Sequence, residues 1–201
     1  MDLAGKVVWI TGASAGIGAA LARAAAARGA RLVLSARRPE QLAAVRAACA
    51  RPGDHLVLPL DLAAPDTFDI AVGEVLAARG AVDVLVHNAG VSQRSLARDT
   101  ALAVDRRIFE VNYFGAVALT KALLPAMRQQ GTSRIVVVSS LVGKIGTPFR
   151  STYAASKHAL HGFFDSLRAE EWRHGVGVTL VCPGFIHTDL SIHALIGDGS
   201  A

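Results

Sequence analysis

The apolar residues fall in short blocks. Val7-Val8-Trp9-Ile10-Thr11 is a strand-length run that ends in a glycine-rich turn, and the Ala/Leu/Arg-rich stretch from about Ile17 to Arg28 has helical composition. The same pairing recurs: Arg31 to Ala36 as strand with Glu40 to Ala50 as helix, then Leu56 to Leu60 as strand with Thr67 to Arg79 as helix. Val82 to Val86 reads as a fourth strand, Val104 to Gln129 as a long helix, and Arg134 to Val138 as a fifth strand. Thr152 to His174 as helix and Val176 to Val181 as strand complete the series. Near-continuous β-branched runs that alternate with helices predict a parallel sheet covered on both faces, because each crossover must return over the sheet. The expected fold is α/β, a doubly wound parallel sheet with strand order 3-2-1-4-5-6.

Length and composition narrow this further. The 201 residues show no compositional break, so 1–201 is read as a single domain. Apolar residues make up 52% of the chain, yet no uninterrupted run approaches a membrane span. The first residues lead straight into a strand, without a charged-then-apolar leader, which points to the cytoplasm. The net charge of +5 comes from scattered Lys and Arg with no basic run, so a nucleic-acid partner is not expected. Cys49 and Cys182 are distant in sequence and are read as buried, reduced thiols. His158 and His161, three apart on a helix, lack the further ligands of a metal signature and are read as a solvated face.

Candidate chemistry begins at Thr11-Gly12-Ala13-Ser14-Ala15-Gly16-Ile17-Gly18. Glycines let the backbone turn sharply and approach a pyrophosphate, which free N–H groups at the next helix start would stabilise. Ser14 adds a hydroxyl. By itself such a turn also serves a purely structural connection. After the second strand stands Ser35-Ala36-Arg37-Arg38, with no acid to hold a ribose diol; Arg37 offers a planar donor fork suited to a 2′-phosphate, or both arginines are ordinary surface residues. Asp61-Leu62 after the third strand reads equally as an adenine contact and as a turn or N-cap. Asn88-Ala89-Gly90 ends the fourth strand with residues small enough for a cofactor to pass.

Ser140, Tyr153 and Lys157 are the sharpest constellation. Tyr153 and Lys157, four apart, share a helix face, and Ser140 at the end of the fifth strand points to the same cleft. A phenol titrates near 10. An ammonium at ~4.5 Å favours the phenolate by roughly 3–4 kcal/mol, enough to bring its titration toward neutrality. Asn112 is a polar residue in an apolar stretch, placed to kink its helix and hold a relay water. Taken alone, Tyr-x-x-x-Lys is a common surface pair.

Together and in this order, these motifs resemble the short-chain dehydrogenase/reductase family over essentially the whole chain. The resemblance implies a Rossmann-like oxidoreductase that prefers NADP(H) to NAD(H) and interconverts a carbonyl and an alcohol on a small lipophilic substrate. It assigns Gly12, Ser14, Gly16, Ile17 and Gly18 to the coenzyme turn, Asp61 to the adenine contact, with Leu62 beside it and Arg37 as the candidate for the 2′-phosphate, and Asn88, Ala89 and Gly90 to the middle of the sheet. Asn112, Ser140, Tyr153 and Lys157 match the catalytic tetrad, with Tyr153 and Lys157 also touching cofactor. Pro183, Gly184 and Thr188 match the segment that cradles the nicotinamide. No metal is implied, and a homo-oligomer through the two long helices is. Family members continue into a fuller lid and a seventh strand, so a C-terminally truncated chain is expected, with its sixth strand at the sheet edge. The alternative is a poorly active nucleotide-binding scaffold or interaction protein. An epimerase or dehydratase is disfavoured by the glycine spacing and by Arg37.

Overall fold

The computed structural model describes residues 2–186 and 192–200. Its centre is a six-stranded parallel sheet in the order β3-β2-β1-β4-β5-β6. The strands are β1 (Val7–Thr11), β2 (Arg31–Ser35), β3 (Leu56–Val57), β4 (Val84–His87), β5 (Arg134–Val138) and β6 (Gly177–Val181). Between them run α1 (Gly16–Ala27), α2 (Pro39–Ala47), α3 (Phe68–Arg79), α4 (Leu102–Phe109), α5 (Gly115–Gln130) and α6 (Ser151–Glu171).

Strand side chains alternate between two cores, as a pleated strand requires. Val7, Trp9, Val33, Leu85, Ile135 and Val137 pack with α3, α5 and α6 on one face. Val8, Ile10, Leu32, Leu34, Val84 and Val86 pack with the Ala-rich face of α1 and with α2 on the other. Both faces of β1, β2 and β4 are therefore dry, which explains why their sequences carry no polar alternation, while edge strand β6 leaves Thr179 and Val181 exposed.

Three expectations change. The third strand is regular only over Leu56–Val57, although Leu58 and Leu60 still donate to Leu34 and Ala36 of the β2 side. The single long helix expected over Val104–Gln129 is two helices, α4 and α5, separated by a π turn, Glu110–Phe114, at the place where Asn112 is expected to kink it. The glycine after it explains part of this, since a Cβ at Gly115 would lie 2.4 Å from the Leu62 carbonyl oxygen and the helix must pass that close. Cys182 follows the last residue of edge strand β6 and is exposed, whereas Cys49 is buried as expected.

A candidate active site at the carboxyl ends of the strands

The turn after β1 and the turn after β4 are built as one clamp. Gly12 has φ +65, and a Cβ there would come within 2.6 Å of the Ala89 Cα. Asn88 Nδ2 donates to the carbonyls of Thr11 and Gly12, both at 3.1 Å, while Thr11 Oγ1 accepts from Asn88 N at 3.1 Å. Gly18 brings α1 onto this clamp, since a Cβ there would stand 2.2 Å from Gly12 O. No side chain caps the start of α1. Its first N–H groups are thus left for a ligand beside Gly12, Ser14, Gly16 and Ile17, all of which line one cleft.

That cleft, of about 1390 Å³, runs across the carboxyl ends of the strands and holds nearly every residue expected at the site. Arg37 stands exposed on its wall past β2, and among the described residues it has no acidic partner. Arg23, Arg38, Arg107, Arg150 and Lys157 also line it, against Asp61 as the one acid among the described lining residues. Asp61 accepts from Ala63 N at 3.0 Å, so its turn role is realised while it faces the cleft. Leu62 is buried at the floor, where it meets Gly115. Pro183 and Gly184 line the far end. Thr188 lies outside the described residues.

At the other half of the cleft, Tyr153 and Lys157 sit on one face of α6, both buried. Ser140 stands between β5 and a 3-10 turn, Leu141–Gly143, with its hydroxyl toward Tyr153. Asn112 is held inside the π turn: its Oδ1 accepts from Val91 N at 2.8 Å, and its Nδ2 donates to Val91 O and Ser156 Oγ, each at 3.0 Å. It ties the strand-end segment to α6. Its side chain is committed to these protein groups, so the expected hold on a relay water is not made by its amide hydrogens, both of which are taken. Gly90 is pressed against the same groups, with a Cβ position 3.2 Å from Asn112 Oδ1 and 3.6 Å from Lys157 Nζ.

The electrostatics differ from the sequence argument. Lys157 Nζ lies 5.8 Å from the centre of the Tyr153 ring and donates to Val138 O at 2.9 Å. Burial pushes Lys157 down to about 8. Burial also raises the Tyr153 phenol above its ordinary value, with the Ser140 hydroxyl and the Arg150 charge drawing it back. The expected lowering of Tyr153 by Lys157 is therefore not realised in this state. The low dielectric that would strengthen the attraction also penalises the phenolate, and the ammonium faces a carbonyl.

Two residues escaped the sequence reading. Gln93 is fully buried; its Oε1 accepts from Thr152 N at 2.9 Å and from Tyr153 N at 3.4 Å, so it serves the open end of α6. Arg150 precedes α6 and donates to Ser92 Oγ. Neither lies in a periodic pattern; the only signal was their position after Gly90 and before Tyr153. His161, read as solvated, is half-buried with Nε2 at 3.1 Å from Ser139 Oγ, because α6 leans that face on the end of β5.

A family model described as short chain dehydrogenase matches residues 6–195. A Bos taurus protein named dehydrogenase/reductase SDR family member 7B is 50% identical over 201 residues, covering 96% of this chain and 62% of that protein. A Drosophila melanogaster dehydrogenase/reductase SDR family protein 7-like is 47% identical, covering 100% and 63% respectively. The chain thus spans a little under two thirds of the length of these curated relatives. Among solved structures, a Streptomyces avermitilis short-chain dehydrogenase superposes with TM-score 0.88 at 38% identity, over 93% of this chain and 68% of that one. A Burkholderia phymatum short chain dehydrogenase/reductase in complex with NAD gives 0.89 at 30%, over 96% and 70%.

Proposed function

Since this chain belongs to the short-chain dehydrogenase/reductase family, we propose that it is an NADP(H)-dependent oxidoreductase that interconverts a carbonyl and an alcohol on a small lipophilic substrate. The observation that carries this reading is the convergence of Ser140, Tyr153 and Lys157 on one cleft whose other half is the glycine turn. A dinucleotide fits the residues present. The uncapped start of α1, the close approach allowed at Gly12, and a wall rich in cations all suit its phosphates. Arg37 would take the 2′-phosphate, Asp61 and Leu62 the adenine end, and Asn88, Ala89, Gly90, Pro183 and Gly184 the path to the nicotinamide.

When bound, the nicotinamide supplies or accepts the hydride. Ser140 donates a hydrogen bond to the substrate oxygen, and Tyr153 gives that oxygen its proton in reduction and removes it in oxidation. Lys157 holds the ribose and, with a pKa brought to about 8, exchanges protons near neutrality. Asn112 keeps Val91 and α6 in register behind them. The mouth is apolar, with Leu141, Ile145, Phe185 and Ile186 exposed around it, which supports a lipophilic substrate. Self-association through α4, α5 and α6 is part of the same proposal, supported by the exposed Leu102 and Phe114 and read by light scattering.

NADPH consumption against a panel of ketones, aldehydes and quinones tests the activity. Tyr153→Phe is expected to abolish turnover while NADPH affinity, read by fluorescence, stays nearly intact. NADPH binding without turnover on any carbonyl would favour the scaffold alternative; near-normal rates in Tyr153→Phe would move the proton transfer to another group.

A further inference from the structure

Arg150 is held at the catalytic end of the cleft with unusual care. Phe149 before it has φ +64, in the left-handed region that a bulky side chain disfavours. The Phe149 carbonyl accepts from Ser95 N at 3.2 Å, and Arg150 Nη1 donates to Ser92 Oγ. Gln93, between them, receives Thr152 N. The segment after Gly90 therefore grips the entry to α6 at three successive places. So placed, the guanidinium lines the cleft 5.9 Å from the centre of the Tyr153 ring. Among the described residues no carboxylate comes within ion-pair distance of it. A half-buried, unpaired guanidinium is costly to keep, and burial lowers its own pKa.

Tyr153 thus has two cations near its ring, Lys157 at 5.8 Å and Arg150 at 5.9 Å. They are not equivalent. Lys157 is wholly buried, gives its hydrogen bond to Val138 O and loses its charge from about pH 8 upward. A guanidinium stays protonated throughout that range. Of the two, it is also Arg150 whose charge draws the phenol down against burial. The other groups facing this end of the cleft do not replace it. Ser140, whose hydroxyl draws the phenol down more than Arg150 does, is neutral and supplies no charge, Arg107 of α4 and His193 also line the cleft, Arg94 stands beside Arg150, and the Asp105 carboxylate receives the Thr152 hydroxyl.

We propose that Arg150 acts through Tyr153 as its permanent cation, favouring the tyrosinate form and setting the pH at which Tyr153 exchanges a proton with substrate. This rests on Tyr153 as the proton carrier, but it is measurable without turnover. The chain has two tyrosines, and the hydroxyl of the other, Tyr113, makes no side-chain hydrogen bond among the described residues. In a Tyr113→Phe background, the near-ultraviolet absorbance of tyrosinate reports Tyr153 alone.

Arg150→Gln keeps an amide donor for Ser92 and removes the charge; Arg150→Met is a second neutral variant should Gln disturb folding; Arg150→Lys keeps the charge. Both neutral variants are expected to move the Tyr153 midpoint up by about one pH unit, a tenfold loss of tyrosinate at a given pH, water in the open cleft screening the rest. Arg150→Lys should restore most of it. With a ketone that the protein reduces, the pH–kcat profile should shift by the same amount with KM nearly unchanged. An unmoved midpoint in the neutral variants, or a Lys variant shifted as far as they are, overturns the proposal. If the midpoint shifts while Tyr153→Phe still turns over, the effect on Tyr153 stands and the proton-carrier assignment fails. If Tyr153→Phe is inactive and the midpoint does not move, only the Arg150 inference fails.

Discussion

Replacing Lys157 by methionine should stabilise the cofactor-free protein at neutral pH while destroying its activity. Lys157 is 4% exposed, and burial takes its pKa from 10.5 to about 8. Below pH 8 the folded chain must keep a proton that burial disfavours, so the whole penalty is present. Between pH 8 and 10.5 the unfolded chain still binds that proton while the folded one releases it, and stability rises with pH; above 10.5 the penalty is gone. A depression of some 2.5 units corresponds to about 3 kcal/mol. Lys157→Met removes this penalty at pH 7 and leaves Val138 O without its donor, which costs about 1 kcal/mol. The net gain is about 2 kcal/mol, or roughly 4–8 °C in Tm for a chain of this size. At pH 10.5 and above the order should reverse, the variant being weaker by the lost hydrogen bond. Urea unfolding of both proteins across this range reads the difference directly. A variant no more stable at pH 7, or a gap that fails to close as pH rises, refutes the reasoning.

Arg37→Asp should weaken NADPH binding about 10- to 100-fold and leave NADH nearly unaffected, because one charge-assisted contact is lost; equal affinities of the unmodified protein for both cofactors would remove the argument. Gly18→Ala places a methyl 2.2 Å from Gly12 O, so thermal unfolding should show a loss of about 1–3 kcal/mol together with weakened NADPH binding. His87 is wholly buried and held near 3, so the unfolded chain takes up its proton first and about 1.4 kcal/mol of stability is lost per pH unit below 6.5. His87→Leu should flatten that acid limb in urea titrations at pH 6.5 and 4.5; an unchanged slope counts against it.

Most of the sheet was legible because its central strands, β1, β2 and β4, are buried on both faces and so read as unbroken apolar runs. The glycine turn and the Tyr153–Lys157 pair were legible for a different reason: both depend on local spacing alone. What stayed hidden depends on distant partners. Leu58 and Leu60 look like strand in sequence, yet only Leu56–Val57 keeps regular pairing with β2. The polar Asn112 marks a kink in the sequence, but the partners that shape it into a π turn, Val91 and Ser156 for Asn112 and Leu62 for Gly115, are far away in the chain. Gln93 and Arg150 show their roles only when the segment after β4 meets the start of α6. The distance from Tyr153 to Lys157 alone puts the phenol too low, because burial of the side chain penalises its anion.

The π turn at Glu110–Phe114 carries one residue more than a regular helix would need over the same length. Deleting one residue there would let α4 and α5 merge into an ordinary helix with better hydrogen-bond geometry. It would also rotate one half against the other by about 100°. Either Asn112 would leave Val91 and Ser156, or Gly115 would turn from Leu62 and present a larger neighbour to it. The extra residue of the turn is therefore what lets Asn112 reach Val91 and Ser156 while Gly115 still faces Leu62, so its length serves the candidate site and not the regularity of the helix.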